Sequence, residues 1–126
     1  MPLYQQPPYV PPFTPQVLTP GRPITVWASE LLATPSTSAQ FCIHRQEFPA
    51  ILSVDVQFLV DPGVFQIDFQ TSDVDDDAHY VTKDSLTGGL NGFFVGRLEV
   101  VDIVAKFGRL ILVSTTNAAN VTAKVY

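Results

Sequence analysis

In the stretch ILSVDVQFLVD, residues 51–61, Leu52, Val54, Val56, Phe58 and Val60 alternate with Ser53, Asp55 and Gln57. A period of two places the first set on one side of an extended chain and the second on the other; wound into a helix, the same residues would scatter around the circumference. The segment is predicted to be a strand with one wet face. Asp61-Pro62-Gly63 follows with turn chemistry, proline fixing φ and glycine tolerating positive φ, and then VFQIDFQ sets Phe65, Ile67 and Phe69 against Gln66, Asp68 and Gln70. The pair is expected to form a β-hairpin.

Six further runs read as strands: ITVWA around Val26, QFCIHR around Cys42, AHYVTK around Val81, GFFVGRLEV around Val95, RLILVS around Ile111, and the final NVTAKVY. Turn signals stand at Leu86–Gly92, Phe107-Gly108 and Thr116–Asn120. Ser29–Ala33 has room for one helical turn with Ser29 as its cap, since prolines at 23 and 35 bound it. About eight short strands with no other helical pattern predict an antiparallel β-sandwich of jelly-roll, β-tulip or immunoglobulin-like type. Periodicity leaves the strand order open.

Before this domain, MPLYQQPPYVPPFTPQ holds six prolines and three aromatic rings, and no charged side chain precedes Arg22. Proline at this density favours polyproline II, which advances about 3.1 Å per residue without internal hydrogen bonds. Linkers are normally charged or rich in Gly and Ser, whereas Tyr4, Tyr9, Val10, Phe13, Val17 and Leu18 gain free energy only by burial. Residues 1–20 are expected to be an extended docking arm, with Tyr4, Tyr9 and Phe13 as anchors, and residues 21–126 the sandwich. A ligand for an SH3-like domain is the alternative use of Pro8-Tyr9-Val10-Pro11 and Pro12-Phe13-Thr14-Pro15, although no nearby Arg or Lys orients it.

The net charge of -5 and the scatter of seven Lys and Arg residues argue against nucleic acid as a partner. No apolar run is long enough for a membrane span. Residues 1–18 lack the basic start and apolar core of a secretory signal, so the chain is expected to stay where it is made or to leave by another route. Its single cysteine, Cys42, excludes an internal disulfide and reads as a small buried thiol. With 46% hydrophobic and only 15% charged residues, against roughly 25% charged in ordinary domains, part of the surface is expected to be covered.

Candidates for chemistry are few. Cys42 and His44 share one face of a strand, but a catalytic pair needs a third group, and His79 sits in no motif. Asp73, Asp75 and Asp77 could offer oxygen ligands to Ca²⁺, yet the EF-hand glycine and glutamate are missing, and a solvated loop is the alternative. Asn120-Val121-Thr122 matches the glycosylation sequon, and Leu86–Gly92 has three glycines without the lysine of a phosphate loop. Trp27 reads either as a ligand-stacking platform or as a cover for the sandwich or a subunit contact. No catalytic residue, cofactor or metal is expected.

Over residues 69–126, FQTSDVDDDAHYVTKDSLTGG and KFGRLILVSTTNAANVTAKVY resemble small tailed-bacteriophage virion proteins, the head-decoration (cement) and other minor capsid proteins, in an aromatic-x-Arg-Leu run, a short polar loop and a closing VTA strand. The resemblance implies a β-sandwich or β-tulip body, frequently trimeric, bound outside an icosahedral shell with an extended arm clasping neighbours. It implies no catalytic residue. The expectation is a virion protein assembled in the host cytoplasm that binds the major capsid protein or other virion proteins. A tail, neck or head-fibre component and a carbohydrate- or protein-binding module using Trp27 and loop tyrosines are the alternatives.

Overall fold

The computed structural model describes residues 16–18, 22–43 and 50–126. Among the described residues there are ten strands: β1 (Gln16–Leu18), β2 (Ile24–Leu31), β3 (Ser36–Thr37), β4 (Phe41–Ile43), β5 (Ala50–Phe58), β6 (Phe65–Ser72), β7 (Val81–Thr87), β8 (Val95–Ile103), β9 (Phe107–Thr115) and β10 (Asn120–Val125). One 3-10 turn, Asp77–His79, precedes β7. Each of the eight predicted runs holds a strand. β1 and β3 are three and two residues long, too short to leave a periodic signature.

The strands form two sheets. One has the order β2-β10-β5-β8; the other runs β1-β4-β9-β6-β7, with β3 beside β4 along the same edge of β9. Every pairing is antiparallel except that of β1 with β4. With β1 and β3 set aside, the orders β2-β10-β5-β8 and β4-β9-β6-β7 are the two interleaved Greek keys of a jelly roll. Strand order thus chooses among the three sandwich topologies that alternation leaves open.

Several local expectations are corrected. Asp61-Pro62-Gly63 reverses the chain, but β5 pairs with β10 and β8 while β6 pairs with β7 and β9, so the connection is an arch between sheets and not a hairpin. The Leu86–Gly92 region likewise carries the chain from β7 in one sheet to β8 in the other, and residues 116–119 carry it from β9 to β10. Turn chemistry encodes a reversal, not the sheet that receives the next strand. Phe107-Gly108 lies inside β9, where the missing side chain admits the Phe41 ring; a Cβ there would stand 2.9 Å from it. Ser29 starts no helix. It has φ 51 within β2, and its N–H donates to Thr122 Oγ1 at 3.0 Å where the β2–β10 register shifts.

The core is made by the alternation that predicted it. Leu52, Val54, Val56 and Phe58 of β5, with Val121, Ala123 and Val125 of the neighbouring β10, share one buried cluster with Phe65, Ile67 and Phe69 of β6 and Leu110 and Leu112 of β9 in the other sheet. Phe58 and Phe65 meet edge to face at 5.2 Å between centroids. Each large side chain buried here stabilises the fold by roughly 1.5–3 kcal/mol. Leu18 belongs to the same cluster at 1% exposure, so the sandwich already begins at β1, inside the segment expected to be arm. No helix among the described residues is long and apolar enough to cross a membrane.

Candidate functional site

Register fixes which loops share an end. Phe65 lies opposite Thr115, Gln57 opposite Val95, Val121 opposite Phe58, and Asn120 opposite Leu31. Residues 32–35, 59–64, 88–94 and 116–119 therefore meet at one end of the sandwich. Backbone hydrogen bonds stitch them: Thr116 N–H donates to the Val64 and Pro62 carbonyls at 2.8 and 3.1 Å, Leu59 N–H to Asn120 O at 2.8 Å, and Phe58 N–H to Phe94 O at 3.0 Å.

This end is apolar where it meets water. Leu31, Leu59, Val60, Val64 and Phe93 are exposed there, Val64 and Phe93 at 79% each. Local geometry forces it. β5 ends at Phe58, so Leu59 and Val60 follow a buried residue with no strand left to turn them inward. At the β7–β8 arch, the Asn91 side chain accepts the N–H groups of Phe93 and Val95 at 2.8 and 3.3 Å, Phe94 takes φ 58, and it is Phe94 that packs on the core while Phe93 projects outward. Within residues 31–35, 59–64, 88–94 and 116–119, Asp61 is the single charged side chain. Its carboxylate accepts Gly63 N–H at 2.9 Å in the turn. Monomeric domains rarely expose large contiguous apolar patches to solvent.

At the opposite end, the loop between β6 and β7 is acidic. Asp73–Asp77 are all exposed between β6 and β7, as the solvated-loop reading expects. Three of the carboxylates have partners. Asp77 Oδ1 accepts from Arg109 Nη1 at 2.8 Å, Asp75 from Gln40 Nε2 at 2.8 Å, and Asp76 Oδ2 lies 3.0 Å from His79 Nδ1. Arg109, only 12% exposed, also donates to Gln70 Oε1 at 2.9 Å and lies 4.0 Å from the Tyr80 ring centroid. Burial, and after it the Asp75 charge, pushes the Tyr80 phenol up to about 12 against the pull of Arg109. The cluster bolts the acidic loop to the outer face of β9.

The remaining candidates separate clearly. Trp27 is 4% exposed and lies in the core, which removes it as a stacking platform and as a subunit contact. Cys42 is half-buried, while His44 lies outside the described residues, as do Tyr4, Tyr9 and Phe13. Among the described residues, no group of three or more His, Cys, Asp or Glu side chains is arranged to hold a metal ion. Asn120 of the sequon uses its amide to donate to Ser29 O at 3.0 Å.

Two adjoining recesses mark the outer face of the four-stranded sheet. One, of about 190 Å³, is lined by Ser29, Gln57, Leu59, Asn120 and Thr122, and the other, about 180 Å³, shares Gln57 and Thr122 and continues to Asp55 and Lys124. Together they form a shallow groove that starts at the apolar end. Asp55 at its far side is held by Arg97 through Nε at 2.6 Å and Nη2 at 3.1 Å, which keeps the guanidinium more firmly protonated.

The chain matches no family model, no curated protein and no solved structure in these three comparisons.

Sequence reading did not single out the apolar end. Two signals were present: Phe58-Leu59-Val60 and Phe93-Phe94 break strict alternation, and when apolar residues are consecutive one of them must face away from the core.

Proposed function

We propose that this chain is a non-enzymatic structural protein of a phage particle, a capsid decoration or cement protein that binds the outer shell as a homo-oligomer, with a trimer favoured. The observation that carries the reading is the four-loop end, where Leu31, Leu59, Val60, Val64 and Phe93 are exposed beside a single charge, set against the carboxylate loop between β6 and β7. A protein fixed between an apolar contact and bulk water has a use for that polarity. The jelly roll supports the reading only in part, because viral capsid and lectin domains share it and a fold does not name a function.

In this reading the four-loop end seats on the shell, the Asp73–Asp77 end faces solvent, and Tyr4, Tyr9 and Phe13 add a second contact. Repeated modest contacts in an oligomer raise overall avidity without one strong site. Light scattering combined with co-sedimentation on purified capsids tests it: an oligomer that pellets with shells supports the reading, and a monomer that stays in the supernatant contradicts it. Pelleting with tails or necks instead would place the protein elsewhere on the particle.

A further inference from the structure

Among the described residues the two sheets end on four edge strands, β1, β7, β2 and β8. Three of these edges are blunted. β1 is three residues long, β7 carries a register shift against β6 that leaves Lys83 as an extra residue, and β2 breaks at Ser29, φ 51, beside two shifts against β10. Short length, a bulge and a lysine each protect a free edge from pairing. β8 instead keeps its register with β5 from Val95 to Val100, and its irregularity comes only afterwards, at Asp102 with φ 57.

Backbone phase decides which groups that edge presents. Phe58 N–H donates to Phe94 O at 3.0 Å, whereas Ser53 exchanges hydrogen bonds with Tyr126 and Leu59 N–H donates to Asn120 O, so even-numbered β5 residues bond toward β8 and odd-numbered ones toward β10. Arg97 and Glu99, opposite Asp55 and Ser53, therefore aim their own N–H and C=O groups out of the sheet. Val95, in the same phase, gives its groups to Asn91. Among the described residues, no backbone group pairs with those of Arg97 and Glu99. Both side chains are exposed, and Arg97 holds Asp55 through Nε and Nη2, which leaves Nη1 for a carboxylate beyond the edge.

A second copy of the same strand fits this edge. Run antiparallel about Leu98, Arg97 of each chain stands opposite Glu99 of the other, in the phase that exchanges backbone hydrogen bonds, and Val95 meets Val101 at the flanks. A slip by one residue loses the phase and swaps the faces. A larger slip sets Arg97 against Arg97 or Glu99 against Glu99, so charge selects the one register. We propose that two copies of the chain join edge to edge through β8 in this register, making their four-stranded sheets continuous. The contact closes at two chains and does not use the exposed residues of the four-loop end. It therefore goes beyond the shell-binding reading without depending on it, and a trimer that also made this contact would double.

Sedimentation equilibrium of the full chain from about 10 μM to about 1 mM tests the pairing, the range in which so small a contact is expected to act. The parent should show a two-chain association step, with amide exchange at Arg97 and Glu99 slowing as concentration rises. Glu99→Arg sets arginine opposite arginine twice and should weaken that step about tenfold. Arg97→Glu, made together with Asp55→Asn to avoid a like-charge pair inside the chain, sets glutamate opposite glutamate and should weaken it equally. Mixed in equal amounts, the two variants regain both opposite-charge pairs, and the mixture should associate within about threefold of the parent. A parent without a two-chain step, a step indifferent to the charge changes, or variants that fail to complement each other would each overturn the edge pairing. Capsid co-sedimentation is read separately, so failure of this contact and failure of the shell-binding reading are told apart.

Discussion

Val64 and Thr116 hold each other from opposite arches: the Thr116 N–H donates to Val64 O at 2.8 Å while Val64 N–H donates to Thr116 Oγ1 at 3.1 Å. The clamp needs Gly63 next door, which has φ 71 and whose added Cβ would stand 2.8 Å from the Thr116 Cβ. Gly63→Ala is expected to cost about 1–3 kcal/mol from the positive φ and the clash together. Gly88→Ala, also at positive φ but with open space around it, should cost about 1 kcal/mol. Urea unfolding of both variants gives the comparison, and equal losses would show that the clash is relieved.

Ser38, buried between β3 and β4, completes the edge of β9 where neither short strand reaches. Its hydroxyl accepts Leu110 N–H at 2.9 Å, and its own N–H donates to Leu110 O at 2.8 Å. Ser38→Ala leaves a buried N–H unpaired and should destabilise the fold by about 1–3 kcal/mol. Hydrogen exchange at Leu110 should accelerate in that variant.

Tyr80 gives a pH signature. Its phenol titrates at about 12 in the folded protein against 10.0 ordinarily, so the folded state holds its proton more tightly than the unfolded state. Stability from this group is complete below pH 10 and is lost as pH rises from 10 toward 12. Tyrosinate absorbance should show one of the four tyrosines ionising last, and Tyr80→Phe should remove that late step. Arg109→Lys keeps the charge but loses the flat guanidinium over the ring and the fork to Gln70 and Asp77, and should cost about 1–2 kcal/mol in thermal or urea unfolding.

Truncation separates arm from domain. Removal of residues 1–14 should leave the unfolding midpoint unchanged, because β1 stays intact. Removal of residues 1–18 also takes Leu18 from the core and should cost about 2–5 kcal/mol. Equal midpoints for the two truncations would mean that β1 contributes nothing.

Eight of the ten strands were legible, most clearly where Leu52 to Phe58 and Phe65 to Phe69 each commit one face to the core, and the sandwich class followed. The partition into sheets was not legible, since Asp61-Pro62-Gly63 would read the same in a hairpin or an arch. Trp27 fits a strand on either reading; its burial depends on which sheet covers β2, a fact of topology. The apolar end was obscured for the same reason: Leu59, Val64 and Phe93 look like strand residues until the register shows the strands stopping short of them.

Co-sedimentation of the protein with purified phage capsids, the partner proposed above, compared with a variant carrying Leu59→Asp and Phe93→Asp, bears most directly on whether the apolar end makes the contact. Both side chains are exposed, so the variant should unfold within about 0.5 kcal/mol of the parent. Its shell affinity should fall about a hundredfold or more, from two lost apolar contacts and two buried carboxylates. A folded double variant that pellets with shells as the parent does would contradict the account.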